Sequence, residues 1–546
     1  MVYRTFVAAL LLAAGASAQM TSFPKPSYFR ETFQKTQTKV ELKPPARLND
    51  FVADGKLELS LQHYLELVMA NNTDVQLQLL SLEMPRNAIL TAWGVFDPTL
   101  RAAYNTTRST AYVTNPSTAI DSVPVGGSSK SLAEPYSATW NQTLTNGLQY
   151  SVGFTGQKTS SSAVTKNSYN ANLESTGLAF NITQPLIRNR GTYVNKIPIM
   201  QAQSSYKISE FQLRSQLITL INTAETAYWN VISARENLKV QEKARDTADA
   251  YLKYMQQQLD LGALSPLDIY NPQQNLAAAD LSVSQAKFAL ATAEEALRHQ
   301  VGADLDPQVR NLPVVLTESV DLGPADSLTV DREQAVSKGL NINPAVKGAV
   351  QKLDVDDLGI QSAKNGLLPS LNLTGGYSAA GRGGSYINGL AEVVPGGIGD
   401  SLGQMFGFGY PTYQAGLTLT LPVRSKAASA AMANAMVQKK MDVLTLRNQE
   451  QAIRLNVLTA VVNLEGAKEQ LKLAQIQQDF AKKNLDAENQ KYLLGTEINQ
   501  NVINAQQALV QADSAVATNQ INVRKNLLNL LTQTGELLDA RGIVIR

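Results

Sequence analysis

The chain carries few side chains of the kinds that catalyse reactions or bind metals. Among its 546 residues there are no cysteines and only 2 histidines, His63 and His299. Missing thiols exclude disulfides, thiolate nucleophiles and cysteine-ligated metals, and two isolated histidines fit helix packing better than a metal site. The glycine clusters at 381–384 and 396–399 lack the strand–loop–helix context of a phosphate-binding loop. We therefore expect no enzyme, no metal and no cofactor.

The charge balance excludes a second class of functions. Lys and Arg number 48 and Asp and Glu number 46, a net charge of +2 that gives no basic surface for nucleic acid. Charged residues make up 17% of the chain, against about 25% in ordinary globular proteins. Asn, Gln, Ser and Thr supply the remaining polarity, which suits helices packed on two flanks and a polar lumen.

The first 18 residues have the pattern of an export signal. Arg4 precedes a short apolar run over 5–14, and Ala16-Ser17-Ala18 is a small-x-small cleavage site. No cysteine follows it, so no lipid anchor is predicted. No later stretch approaches the ~20 apolar residues of a membrane-spanning helix, so a place in a membrane would require a closed β-barrel.

The second half of the chain repeats the order of elements in the first half. Each half reads as a helix, strands, a very long helix, a glycine turn and a returning helix. Gly262 and Gly495 are 233 residues apart, as are Ala227 and Ala460, so the long helical blocks align without gaps. Their sparse apolar positions have heptad-like spacing. We therefore predict one duplicated protomer with long coiled-coil helices rather than several globular domains.

This duplication sets the expected boundaries. The segments, in chain order, are a signal peptide over 1–18, an N-terminal extended arm over 19–56, a first repeat over 57–304, a linker over 305–327, a second repeat over 328–538 and a C-terminal tail over 539–546. Helices are expected over 57–96, 193–259, 266–302, 328–366, 425–493 and 499–533, with strands within 99–184 and 371–421.

The strand regions alternate apolar and polar residues, as the strands of a transmembrane barrel do. Asn146-Gly147 is a minimal hairpin turn, whereas the opposite loops are long and rich in Gly and Ser. Six strands are expected: 99–113, 136–145, 148–157, 172–184, 371–380 and 412–421. Because a sheet with open edges is untenable in lipid, several copies must share one barrel.

Taken together, these features resemble the TolC-like outer membrane efflux protein family. The resemblance rests on the duplicated order, on Pro98 and Pro369 before the strands, on Pro185 and Pro422 after them, and on the glycine tips. The family implies a homotrimer whose β-barrel lies in outer-membrane lipid and whose all-α barrel extends into the periplasm. Members usually supply twelve strands per trimer. The hairpin over 136–157 either enlarges the barrel to eighteen or lies outside its wall, and we favour twelve.

The function that this resemblance implies is a passive exit duct for efflux or type I secretion. A periplasmic adaptor protein would connect it to an inner-membrane pump, of the resistance-nodulation-division or ABC type, that supplies the energy. The alternative is a trimeric structural stalk of the envelope without transport, which would not conduct ions.

The family's pore aperture lies where the helices converge beyond the glycine turns. Asp268 and Tyr492 match a hydrogen-bonded acidic–aromatic pair that helps to hold the aperture shut. The family's ring of aspartates falls here on Asn501 and Asn504, and a basic position falls on Glu497. The usual acidic constriction and its Arg–Asp latch are therefore in doubt, and block by cations should be weak.

The turns themselves match the adaptor-docking tips of the family. The residues concerned are Gly262, Ala263, Leu264 and Ser265 in the first turn and Gly495, Thr496 and Ile498 in the second. Capping of the long helices by glycine accounts for the same pattern, and the two roles are compatible.

Overall fold

The computed structural model describes residues 52–53, 56–112, 128–161, 172–262, 265–303, 310, 312–318, 330–388, 392–394, 396–494 and 496–543. The expected signal peptide and most of the expected N-terminal arm lie outside these residues. The described helices are α1 (Leu61–Asn71), α2 (Thr73–Ser81), α3 (Glu83–Trp93), α4 (Thr192–Asn195), α5 (Ile197–Asp260), α6 (Tyr270–Gln300), α7 (Arg332–Ile342), α8 (Pro344–Gly366), α9 (Ile398–Phe406), α10 (Lys426–Leu493), α11 (Asn499–Thr534) and α12 (Leu537–Ala540). The described strands are β1 (Val52–Ala53), β2 (Lys56–Leu59), β3 (Thr99–Tyr104), β4 (Thr107–Tyr112), β5 (Ser128–Thr143), β6 (Gln149–Ser161), β7 (Asn172–Pro185), β8 (Val314–Leu316), β9 (Ser370–Gly383), β10 (Tyr386–Asn388), β11 (Glu392–Val394) and β12 (Pro411–Thr420).

The two longest helices are α5 with 64 residues and α10 with 68. At ~1.5 Å per residue each is about 100 Å long. The α10–α11 and α5–α6 pairs are antiparallel and joined by the glycine turns. Among the described residues, no helix is both long and apolar enough to cross a membrane.

Two hydrophobic cores are present among the described residues, one centred on each repeat, and residues of α11 and α12 also contribute to the first. In the first, Tyr64 of α1 packs on Tyr228 of α5 with ring centroids 5.4 Å apart. In the second, Val457 and Val461 of α10 pack against α7 and α11. Gly339 of α7 lies so close to α10 that a Cβ there would come within 3.1 Å of Val457. The duplication seen in the sequence therefore extends to two cores, the first built largely from aromatic, Leu and Ile side chains and the second from Val, Ala and Leu.

The start of the first repeat differs from the expected single helix over 57–96. Residues 57–59 belong to β2, whose Leu57 and Leu59 are buried while Lys56 and Glu58 are exposed. β2 pairs in parallel with β8, inside the expected linker over 305–327. The remainder breaks into α1, α2 and α3. Asn72 ends α1 and caps α2, and the second break falls at Leu82.

The main sheet has the order β12-β9-β7-β6-β5-β3, with β4 also paired to β5. The expected strands 136–145 and 148–157 are the paired cores of β5 and β6, which lie between β7 and β3. The favoured position for this hairpin, outside the wall of strands, is therefore wrong. β5 pairs with β3 and β6 pairs with β7, so both outer edges of the hairpin are hydrogen-bonded. Its apolar and polar residues lie in register with those of the neighbouring strands.

The expected strand over 99–113 is interrupted between β3 and β4. Pro135 of β5 faces this gap, and its carbonyl accepts from the Asn105 amide at 2.9 Å. Proline has no N–H to donate in return, so the ladder pauses for two residues. The pairing register is the same on both sides of the pause.

The sheet has one apolar and one polar face. An unbroken apolar row crosses all six strand positions through Leu100, Trp140, Val152, Phe180, Tyr377 and Tyr413. A polar row beside it, on the other face, contains Thr99, Asn141, Ser151, Asn181, Gly376 and Gln414. The outer edges of the sheet, on β12 and on β3 with β4, have no partner strand among the described residues.

The described part of the expected C-terminal tail, residues 539–543, is tied to the first repeat through Asp539 and Arg541. The Arg541 guanidinium donates to the Glu225 carboxylate, with Nε–Oε2 at 2.9 Å. Glu225 is only 1% exposed and also accepts from the Trp229 indole at 3.2 Å. A buried carboxylate needs such partners, so Arg541 and Trp229 make this position tenable.

Candidate functional site: the helical tips and aperture

The ends of α5 and α10 lie together around a small apolar cluster. Leu252 and Met255 near the end of α5 pack with Ile269 before α6, and Tyr492 at the end of α10 packs against them. Of the other aperture residues expected from sequence, Asp268 lies in the turn before α6, and Glu497, Asn501 and Asn504 lie around the start of α11. The structure thus brings together tips that are far apart in sequence.

Gly262 ends α5 in a left-handed conformation, with φ at +75°. Its amide donates to the Leu259 carbonyl at 2.9 Å, as a helix-terminating glycine does. No atom lies within 4 Å of an added Cβ, so backbone conformation rather than crowding favours glycine here. Ala263, Leu264 and Gly495 lie outside the described residues.

Tyr492 and Asp268 do not form the expected side-chain pair. The Tyr492 hydroxyl donates to the Met255 thioether at 3.3 Å, because that group lies inside the apolar cluster. Asp268 contacts the second tip through its backbone instead, because its carbonyl accepts from the side-chain amide of Asn499 at 3.5 Å.

Tyr251 completes the contact between the tips. Its hydroxyl donates to the Asn499 side-chain oxygen, so Asn499 bridges α5 and the turn before α6.

Burial raises the pKa of the Tyr251 phenol, and the neighbouring phenols raise it further. Burial also raises the pKa of Tyr492, with added contributions from Tyr254 and Asp268. Both phenols therefore remain protonated donors at neutral pH. The family resemblance did not predict a role at the tips for Tyr251, Met255 or Asn499.

Asn501 and Asn504, which stand where the family's aspartates are expected, each make a side-chain hydrogen bond at the start of α11. Asn501 donates to the Glu497 carboxylate at 2.6 Å, and Gln500 donates to Asn504 at 3.0 Å. Asn504 is exposed, whereas Asn501 and Glu497 are half-buried. The Glu497 carboxylate thus lies next to Asn501, and the other side chains in these two hydrogen bonds are uncharged amides.

The tips also expose apolar side chains that the glycine pattern did not reveal. Large exposed residues cluster in both turns: Leu261, Leu267 and Tyr270 in the first, and Leu493, Leu494 and Ile498 in the second. Leu261 and Leu494 are each 78% exposed. Apolar patches of this kind mark interaction surfaces. The signal in the sequence was the leucine on either side of each glycine, in Leu261-Gly262 and Leu494-Gly495.

Within the part of the chain that the structure describes, no group of three or more His, Asp or Glu side chains is placed to hold a metal ion. What the tips offer is hydrogen bonding between helices and an apolar end surface. These contacts join the described ends of α5 and α10 to the start of α11.

The duplicated helices, the two-faced sheet and the converging tips define an outer membrane efflux protein. The model of the outer membrane efflux protein family matches residues 147–303 and 335–536, and the chain belongs to this family. The resemblance drawn from the sequence is therefore confirmed. No curated protein matches the chain in sequence.

Solved structures of outer membrane channels share the fold. CusC aligns with a TM-score of 0.61 at 14% identity, covering 90% of this chain and 95% of that one. The CmeC channel of Campylobacter jejuni aligns with a TM-score of 0.59 at 16% identity, covering 92% and 91%. VceC of Vibrio cholerae aligns with a TM-score of 0.58 at 13% identity, covering 87% and 96%. At these identities the likeness concerns the fold alone.

Proposed function

We propose that the protein is the passive outer-membrane exit duct of a tripartite efflux or type I secretion system. The observation that carries this proposal is the main sheet, with one apolar face, one polar face and two outer edges that no described strand pairs with. On β9 the apolar face carries no charge from Leu371 to Gly381, about 33 Å along the strand. With the ~40° tilt of barrel strands this gives ~25 Å, the height of a bilayer-facing band.

The unpaired edges support closure between copies. β3 and β12 run in opposite directions at the two edges of the sheet, so β12 of one copy can pair antiparallel with β3 of the next. Three copies would then close a barrel of eighteen strands, because each sheet is six strands wide.

Exposed side chains on α10 support the same assembly. A stripe at heptad-like spacing includes Val437, Met441, Leu444, Leu455, Val462, Leu473, Ile476 and Phe480. An apolar stripe of this spacing is the seam of a coiled coil, and a neighbouring copy is the proposed partner. Below it, the apolar tips would dock a periplasmic adaptor protein, which connects the duct to an inner-membrane pump.

Cysteine cross-linking tests the shared barrel, because the native chain has no cysteine. Thr418 on β12 and Ala103 on β3 lie on the polar faces of the two edge strands. A T418C/A103C protein treated with a short bifunctional thiol reagent should give dimers and trimers in the outer-membrane fraction. The matched control, T418C/N181C, moves one thiol to the middle of the sheet and should give no such ladder. A monomer in the soluble fraction contradicts the proposal.

Conductance separates a duct from a structural stalk. Purified trimers in planar bilayers should carry ionic current, whereas a stalk should not.

Docking is tested by L261E/L494E, which should abolish co-purification with the adaptor and leave conductance unchanged.

A further inference from the structure

The short helix α9 lies on the apolar face of the main sheet, at the end distant from the long helices. Gly381 and Gly383 of β9 provide the space, because a Cβ on Gly381 would come within 1.8 Å of the Ser401 carbonyl oxygen. Ser401 and Met405, which face the strands, are fully buried. The Ser401 hydroxyl bonds Thr176 of β7 at 2.7 Å, and Gln404 accepts from the Arg382 amide at 3.1 Å. The helix is thus a fixed part of that face.

The position of α9 coincides with the limit of the apolar band. Glu134, Lys158 and Glu174 form a cross-strand row that ends at Gly383 of β9. The next row toward the long helices contains Tyr136, Gly156, Thr176 and Gly381 and carries no charge. Helix α9 therefore covers the rows where the face changes from apolar to charged.

An aromatic cluster follows α9 on the same face. Phe408 packs on Tyr377 with ring centroids 6.0 Å apart, and Tyr377 packs on Tyr413 at 5.1 Å. Phe408 has a φ of +52°, a left-handed conformation that is costly for a bulky residue. The contact of the Phe408 ring with Tyr377 on the sheet stabilises this strained backbone conformation.

The outward side of the segment is mainly apolar. Phe406 is 57% exposed, and Ile398 and Tyr410 are also exposed. The one charged residue over 396–411 is the exposed Asp400 at the start of α9, whose carboxylate accepts from the Gly397 amide at 2.9 Å and so caps the helix. Short helices that expose aromatic and apolar side chains, with few charges, suit the boundary between acyl chains and headgroups.

We propose that α9 and the aromatic residues after it form an interfacial membrane anchor, inserted at the headgroup boundary of the distal leaflet. The occupant of this surface is lipid. The inference rests on the proposed function, because the apolar face of the sheet must itself face the bilayer. The segment would fix the depth of the protein in its membrane without a covalent lipid.

Tryptophan quenching by brominated lipids tests this anchor in the full-length protein. The chain has 3 tryptophans: Trp93 on α3, Trp140 on the apolar face and the buried Trp229. The background W93F retains Trp140 as a reporter of the sheet. W93F/W140F retains only Trp229, and W93F/W140F/F406W adds a reporter on α9. The control W93F/W140F/F288W places tryptophan at a comparably exposed position on α6.

In phosphatidylcholine vesicles we expect the emission added by F406W to shift to the blue and to be largely lost with bromines near the headgroup. Bromines near the chain ends should quench it less, and emission from F288W should be unaffected. Y410W in the same background serves as a second reporter if F406W does not fold. Quenching of Trp140 without quenching at 406 or 410 overturns the anchor and leaves the duct standing. Absence of quenching at Trp140 overturns the duct itself, and the anchor with it.

Discussion

The side-chain amide of Asn343 donates to the backbone carbonyl of Gln533 at 3.0 Å. Asn72 makes the same contact with Gln300, at 2.9 Å, in the first repeat. Each asparagine also caps the helix that follows it, through its side-chain oxygen. In both repeats one side chain therefore starts a helix and ties it to the end of the returning helix.

Replacing Asn343 should separate these two roles. N343A loses the cap and the tie and should destabilise the second repeat by roughly 1–2 kcal/mol. N343D keeps a capping oxygen but loses the donor, so its loss should be about half as large. Amide hydrogen exchange over 344–350 and 533–543 measures both effects. Equal protection in N343D and the native protein would show that the tie contributes nothing.

Removing Arg541 should destabilise the first repeat, because Glu225 would remain buried without its strongest partner. The Arg541 side chain is 29% exposed, so we expect a loss of roughly 2–4 kcal/mol, toward the lower end for a broken buried pair. E225Q/R541A removes the uncompensated charge and should recover part of this loss. Thermal unfolding followed by circular dichroism compares the variants, and an R541A protein as stable as the native one would contradict this account.

A pair of carboxyl groups between α8 and α10 predicts a pH effect on stability. Burial and a hydrogen bond with Asp442 raise the pKa of Asp356 to about 6. Although burial opposes it, hydrogen bonds from Gln438, Lys352 and Asp356 lower the pKa of Asp442. Because Asp356 binds its proton more tightly when folded, its stabilising contribution is complete below about pH 4 and is lost as pH rises through 6.

The variant D356N should therefore be more stable than the native protein at pH 8, by up to about 3 kcal/mol, since the pKa of Asp356 is raised from 3.8 to about 6 and one pKa unit corresponds to about 1.4 kcal/mol. The gain should shrink as pH falls through 6 and vanish only below about pH 4, where the native carboxyl is protonated in both the folded and the unfolded chain. D357N, which alters the neighbouring exposed pair with Lys439, should lack this pattern. Melting temperatures over pH 4–8 measure it, and a gain independent of pH would refute the assignment.

Restoring carboxylates at the aperture should change ion block. N501D/N504D places two negative charges per copy beside Glu497, so divalent cations should bind more tightly and block current at lower concentration. The control N484D adds a charge on the exposed side of α10, away from these amides, and should leave block unchanged. Planar-bilayer recordings with added divalent cations measure the effect. Unchanged block in N501D/N504D would show that Asn501 and Asn504 do not line the pore.

Sequence patterns predicted the long helices well, because stretches of more than 60 residues interrupted only by Pro198 in α5 and Gly466 in α10 admit few alternatives. They predicted the sheet less completely. Period-two alternation identified β5 and β6, but it does not specify neighbours, and the hairpin was placed outside the sheet. The β2–β8 pair was missed because three alternating residues next to a helix carry almost no signal.

The site was predicted in position more than in contacts. Glycine spacing located both tips, yet the hydrogen bond of Tyr492 depends on Met255, a contact between helices that no local pattern encodes. Likewise, α9 lies in a glycine-rich stretch that reads as loop. Its helical form depends on Gly381 and Gly383 of a strand that precedes it in the chain.

Under the proposed function, the outer edges of the main sheet, which have no partner strand among the described residues, have a consequence for assembly. A copy that has not yet joined others would present rows of free amide and carbonyl groups, and exposed edges of this kind pair with available strands. A closed ring would use both edges, whereas an open string of copies would keep one at each end. Incomplete assemblies would therefore stay prone to further pairing, while closed rings would not.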